Sequence, residues 1–151
     1  MDMTDQPRIV VGVDGSEGSQ DALGWALREA ELRGAIIELI HAWDYPQANS
    51  SGWLMAYPEA YAEIELSAKA ELADTADWAE ATHPAVPLRP TLVQADAARA
   101  LLDAAHGAEM LIVGSRGRGG FAGLLLGSVS QQCAHHTPCP LVIVPVGQTR
   151  V

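Results

Sequence analysis

At 151 residues, with 48% hydrophobic and 19% charged side chains, the chain has the size and composition of one folded domain with a real core. A formal charge of −10 and a pI near 4.7 argue against general nucleic-acid binding, which needs a basic face. No apolar stretch approaches the roughly 20 residues of a membrane span, and the acidic, polar start over residues 1–7 is unlike a signal peptide, so a cytoplasmic protein is expected.

Ile9–Val13 is a short apolar run that reads as a strand ending at Asp14-Gly15-Ser16, and Ser16 is a good helix N-cap. From Glu17 to Arg33, Leu23, Ala26, Leu27 and Ala30 recur at helical spacing, and Gly34 ends that helix. Ala35–Ala42 is the second strand. Trp43 to about Pro58 is irregular and long for a connection. Glu59–Ala81, rich in alanine and glutamate, is helical, and the prolines of His83–Pro87 end it. Leu88–Gln94 is a third strand whose alternation places it near a sheet edge. Asp96 caps a helix over Ala97–His106, closed by Gly107. Glu109–Val113 is the fourth strand, Leu124–His136 the fourth helix and Leu141–Val146 the fifth strand.

Strands that alternate with helices imply βαβ units and a parallel sheet. The nearly continuous apolar runs of strands one, four and five agree, since such a sheet is covered on both faces. The expected architecture is a single-domain α/β fold. It is an open, Rossmann-like five-stranded parallel sheet of order 3-2-1-4-5, with helices on both faces and a core over about residues 8–146. Ligands of such sheets bind beyond the carboxyl ends of the strands, where the strand order reverses. If strands one and four are neighbours, Asp14-Gly15-Ser16 and the loop opened by Gly114 face each other there.

That second loop is the most informative segment. Gly114-Ser-Arg-Gly-Arg-Gly-Gly-Phe-Ala-Gly123 joins a buried strand to a helix, a setting that leaves backbone N–H groups free to hold phosphate. From Met110 to Val151 there is no Asp or Glu, only Arg116, Arg118 and Arg150. Taking this +3 from the chain's −10 leaves −13 on residues 1–109. Three motifs compete for the loop. A Walker A loop fails because no lysine follows Lys69. A dinucleotide fingerprint fits Gly117, Gly119 and Ala122, but no acidic residue follows for a ribose. The pattern of Gly, two residues, Gly, nine residues, Gly and Ser or Thr is met by Gly114, Gly117, Gly127 and Ser128.

With that pattern the chain resembles the ATP-binding branch of the universal stress protein family over almost its whole length, residues 1–151 reading as one such domain. The likeness rests on Val11-Gly-Val-Asp-Gly-Ser16, Leu39-Ile-His-Ala42, the run from Glu109 to Gly120, Leu126-Gly-Ser-Val-Ser130 and Cys139-Pro-Leu-Val-Ile-Val144. The resemblance implies that Asp14 meets ribose hydroxyls or a phosphate-bound Mg2+, in a loop shaped by Gly12, Gly15 and Ser16. It implies that the backbone near Ala42 reads the adenine edge. Gly114, Ser115 and Gly117 would let the loop approach ribose and phosphates, with Arg116 and Arg118 nearby. Gly127, Ser128, Val129 and Ser130 would hold phosphate oxygens. Where relatives often carry glycine and proline after the third strand, this chain has Ala95 and Ala97, a departure that bears on the adenine pocket wall.

No Ser/His/Asp set, catalytic cysteine motif or metal-ligand spacing stands out, and no nucleophile is positioned for phosphoryl transfer. The expected function is ATP binding by a stress-response or regulatory protein. Nucleotide state would be coupled to assembly or to an unidentified protein partner, with slow hydrolysis at most. A cyclic-AMP binder on the same scaffold and an adenylate-forming enzyme are the alternatives. The apolar last strand, Leu141, Val142, Ile143 and Val144, lies at an expected sheet edge and invites cover, and the resemblance implies a homodimer through it. Trp43, Tyr45, Trp53, Tyr57 and Tyr61 are expected to pack around the irregular loop. Cys133 and Cys139 read as reduced, structural thiols.

Overall fold

The computed structural model describes residues 5–45, 58–117 and 125–147. Five strands, β1 (Arg8–Gly12), β2 (Ile36–Trp43), β3 (Leu88–Gln94), β4 (Met110–Gly114) and β5 (Leu141–Val144), form one sheet in the order β3-β2-β1-β4-β5. Every neighbouring pair is parallel. The helices are α1 (Glu17–Arg33), α2 (Pro58–Thr82), α3 (Ala97–Ala105) and α4 (Ser128–His136). The expected α/β architecture and strand order are those observed.

Side-chain alternation divides the core into two layers. Ile9, Val11, Ile37, Leu39 and Ile112 point to one face, where Leu23 and Leu27 of α1 and Leu72, Ala76 and Ala79 of α2 cover them. Val10, Ile40, Leu111 and Val113 point to the other, under Leu101 of α3 and Cys133 of α4. Ile9, Val10 and Val11 are wholly buried, so β1 is the centre of the domain and its sequence has no polar face. β3 is an edge strand, and Pro90 within it costs no ladder hydrogen bond on its open side.

Local chemistry sets the helix ends. The Ser16 side chain accepts from the Ser19 N–H, and Gly34, in the left-handed region at φ 63°, donates to the Ala30 carbonyl. Asp96 accepts from the Arg99 N–H to start α3. At the end of the sheet remote from the loops, Arg8 reaches Glu38 at 2.7 Å, the Ala104 carbonyl at 2.7 Å and the His106 carbonyl at 2.8 Å. One side chain there ties β1, β2 and the end of α3.

Several expected boundaries shift. β1 and β4 are displaced by one residue, and β5 stops at Val144, whose carbonyl accepts the Ser115 N–H. The main correction concerns α4. It starts at Ser128 rather than Leu124, because Gly127 is extended (φ −76°, ψ 174°) and its N–H donates back to the Ser115 carbonyl at 2.7 Å. Leu124 itself lies outside the described residues. Among the described residues no helix is long and apolar enough to cross a membrane.

The first turn of α1 packs on the end of β4 without slack. A methyl group on Gly114 would lie 2.7 Å from the Gly18 carbonyl oxygen, and one on Gly18 would lie 2.5 Å from the Arg116 carbonyl oxygen. Both obstacles are backbone and cannot rotate aside. Gly18→Ala therefore sets a helix-propensity gain of about 1 kcal/mol against an overpacking cost of about 1–3 kcal/mol. The steric term wins: the variant is expected to unfold at lower temperature by calorimetry, and an unchanged or raised Tm would contradict this packing.

Candidate functional site

β1 and β4 pair directly, from Ile9–Met110 to Val11–Ile112, although α1, β2, α2, β3 and α3 separate them in the chain. Strand order reverses between them, and the chain leaves both strands at the same end of the sheet, towards opposite faces. A cleft of about 350 Å³ opens there. Its lining includes Gly12, Asp14, Ser16, Ala42, Gly114, Arg116, Gly117, Gly127, Ser128, Val129 and Ser130. Gly15 and Ser115 do not line it. Gly15 is the exposed left-handed residue (φ 78°) of the Asp14 turn, and Ser115 is buried behind the loop. Arg118 lies outside the described residues, as do Gly119, Gly120, Gly123, Trp53 and Tyr57.

The two loops meet closely. A methyl group on Gly117 would come within 2.7 Å of Oδ2 of Asp14. The other Asp14 oxygen accepts from the Ser16 N–H at 2.9 Å, so the carboxylate is held in place by its own turn. The Ser19 hydroxyl accepts from the Asp14 N–H at 3.3 Å and donates to the Ser16 carbonyl at 3.0 Å. On the far side, the ring of His41, buried in β2, contacts the Val13 carbonyl through Nδ1 at 2.8 Å and Glu71 of α2 through Nε2 at 3.3 Å. Ser19 and His41 thus steady the strand-end turn that carries Asp14.

Of the helix N-termini at the cleft, those of α1 and α4 differ in how they suit an anion. α1 is capped by Ser16 and has Glu17 in its first turn. α4 begins at Gly127 with no side-chain cap and no acid in its first turn, and its first bond back is Gln131 N–H to the Gly127 carbonyl. The N–H groups of Ser128, Val129 and Ser130 precede that bond and face the positive end of the helix dipole. Arg116, half-buried at the rim, makes no ion pair among the described residues. A second, roomier cleft of about 520 Å³ adjoins Asp14 but is ringed by Asp14, Asp44, Glu63 and Glu71, which repel an anion.

The other end of the first cleft is apolar, with Val13, Ile40, Ala97, Leu101 and Val113. β2 continues to Trp43, beyond its last pairing with β1 at Ile40–Gly12. Val13 still donates to the Ile40 carbonyl at 2.9 Å, and the Trp43 carbonyl on the other edge accepts from Ala95. By the alternation of a parallel ladder, the N–H and C=O of Ala42 point past the end of β1 into the cleft. Ala97 stands in this wall, so the alanine that departs from the related pattern shapes the pocket. Trp43, Tyr45 and Tyr61 pack edge-to-face, at centroid distances of 5.2 and 4.3 Å, away from this cleft.

Ile40, Leu101, Val113, Ser19 and Gln131 were not recognisable as lining residues from spacing; each is an ordinary core or helix position that only the crossover brings to the cleft. Among the described residues no group of three or more His, Cys, Asp or Glu side chains could hold a metal ion. Cys133 is on the buried face of α4, and burial pushes its thiol up to about 11, which suits an inert packing residue.

A doubly wound parallel sheet with a glycine-lined cleft at its switch point defines a Rossmann-like α/β domain. The chain belongs to the universal stress protein family, whose model matches residues 7–145. It is 35% identical over 137 residues to a universal stress protein of Mycolicibacterium smegmatis, covering 90% of this chain and 45% of that one. It is 36% identical over 136 residues to one of Mycobacterium tuberculosis, covering 89% and 44%. The chain thus spans about half the length of the curated relatives it matches. Among solved structures it is similar to a universal stress protein in complex with cyclic AMP, at 28% identity and a TM-score of 0.68, covering 94% of this chain and 98% of the other. Lactobacillus plantarum UspA shares the fold at a TM-score of 0.76 and 20% identity, covering 91% and 97%.

Ser130 lines the cleft, yet its hydroxyl is 3.0 Å from both the Ser115 and the Gly127 carbonyl oxygens and donates to one of them. That makes it a brace for the loop. Ser130→Ala should therefore lower stability by about 1 kcal/mol even without ligand. Denaturant titration of the ligand-free protein checks this, and unchanged stability would return the hydroxyl to a ligand-binding role.

Proposed function

We propose that this protein binds ATP in the cleft between the β1 and β4 loops and serves as a cytoplasmic regulatory protein of the stress response. The observation that carries the reading is the facing of the held Asp14 carboxylate and the open N-terminus of α4 across a glycine-lined gap. Phosphate oxygens would lie on the N–H groups of Ser128, Val129 and Ser130, with Arg116 at the rim. The base would occupy the apolar end, its polar edge against the backbone of Ala42. Mg2+ would be held chiefly by the phosphates, with Asp14 as the protein's contribution. The nucleotide would act as a signal, with slow hydrolysis at most.

A cyclic-AMP reading has one specific support, the relative at 28% identity whose structure holds that ligand. The two ligands make different demands. A cyclic monophosphate carries one negative charge and has no use for Mg2+ beside Asp14. Titration calorimetry with each nucleotide, with and without Mg2+, separates them. ATP is expected to bind more tightly with Mg2+ present. Asp14→Asn keeps an oxygen for the Ser16 N–H but removes the charge, and should abolish that Mg2+ effect while leaving the fold intact. Gly117→Ala, whose methyl displaces Asp14, should weaken ATP at least tenfold, about 1.4 kcal/mol. Undiminished ATP affinity in Gly117→Ala would refute the site, and tighter cyclic AMP would favour the second reading.

The same proposal includes a homodimer through β5. Among the described residues that strand pairs only with β4, and Leu141, Val142 and Ile143 leave an apolar edge half-buried. Light scattering should give the mass of a dimer at micromolar concentration, and Ile143→Lys should shift it to monomer. A monomeric parent chain would contradict the dimer.

A further inference from the structure

The cleft and the β5 edge are joined by two sets of contacts that share no loose side chain. The first is the peptide of Ser115. Its N–H donates to the Val144 carbonyl, the last of β5, at 2.9 Å, and its carbonyl accepts from the Gly127 N–H at 2.7 Å. One buried residue thus hydrogen-bonds both the end of the edge strand and the cap of α4. The second runs through the start of α1. Gly18 lies between the Arg116 carbonyl, 2.5 Å from where its Cβ would be, and a Val146 methyl, 3.6 Å from the same point. One helical turn on, Asp21 is buried and accepts from the Gly147 N–H at 2.7 Å. Asp21 therefore clamps the chain just after β5 to the helix that backs the cleft loop.

We propose that these contacts make the cleft and the β5 edge one coupled unit, so that a nucleotide in the cleft changes the affinity of β5 for a second copy of this chain. The inference rests on the ATP and dimer readings above and specifies how they are linked. The physical ground is the lack of room. A phosphate drawn to α4 would press on Arg116 and Gly117, which line the cleft, and a packed interior passes such a shift to its neighbours instead of absorbing it. Those neighbours are Val144, through the Ser115 N–H, and Val146–Gly147, through Gly18 and Asp21. The coupling is reciprocal by linkage: ATP shifts dimerisation by the factor by which dimerisation shifts ATP affinity.

Sedimentation equilibrium with and without ATP and Mg2+, alongside calorimetry at the same concentrations, tests this. In the parent protein ATP should change the dimer dissociation constant by at least about fivefold. In Asp21→Ala that ratio should fall towards one while ATP affinity of the dilute monomer is unchanged. Asp21→Asn, which keeps an acceptor oxygen for Gly147, should restore the ratio. Should the alanine variant not fold, amide exchange in the parent protein decides: the Ser115 and Gly147 N–H groups should exchange more slowly with ATP bound. A ratio of one in the parent protein, an undiminished ratio in Asp21→Ala, or exchange at Gly147 indifferent to ATP overturns the coupling. Failure of ATP to bind at all overturns the reading of the cleft instead, and calorimetry distinguishes the two.

Discussion

The parallel pairing of β1 with β4 is the constraint on which the rest of this molecule depends. It sets two strands distant in the chain side by side, and their exits diverge to opposite faces of the sheet. The gap so made is bounded by backbone on every side that matters: the Asp14 turn, the Gly114–Gly117 segment and the start of α4. Gly114 and Gly18 have hydrogen where any other residue would place a methyl against a carbonyl group. These glycines therefore serve the protein's own packing. Gly127 differs. A methyl there would meet only ordinary contacts at 3.5–3.6 Å, so no neighbour among the described residues demands a glycine.

Electrostatics then give the cleft a direction. Among the described residues an acidic chain keeps its carboxylates out of the first turn of α4 and out of the lining of this cleft, leaves that helix uncapped and holds an arginine at the rim. Asp14 is the exception, and its place at the divide between the two clefts explains why size alone misleads. The larger cleft, ringed by acids, suits no anion; the smaller one has the helix N-terminus and Arg116. Apolar side chains line the opposite end, where the backbone of Ala42 can form directional bonds. A ligand with one anionic end and one flat, largely apolar end matches that polarity.

Much of this was legible in the amino-acid order because local signals and the global fold agree. Ser16, Gly34 and Asp96 mark helix ends through hydrogen bonds that span only a few residues. The uninterrupted apolar runs of β1 and β4 declare a sheet covered on both faces, and the Gly114–Ser128 spacing marked the loop. The start of α4 departs from the expected one because Leu124, Leu125 and Leu126 are residue types that favour helix, while the bond that ends the loop, Gly127 N–H to the Ser115 carbonyl, joins residues far enough apart to leave no local sign. Ser130 resembled a phosphate ligand for the same reason: its acceptors are set by the folded loop.

Periodicity, capping and glycine spacing therefore determined the α/β class, the helix ends and which loops matter, since each depends on interactions within a few residues. Only the tertiary structure decided that Ile40, Ala97 and Leu101 wall the cleft, that His41 and Ser19 brace the Asp14 turn, and that Asp21 clamps the end of β5. Those are contacts between segments that the crossovers of a parallel sheet bring together, and no local pattern encodes which surfaces will meet.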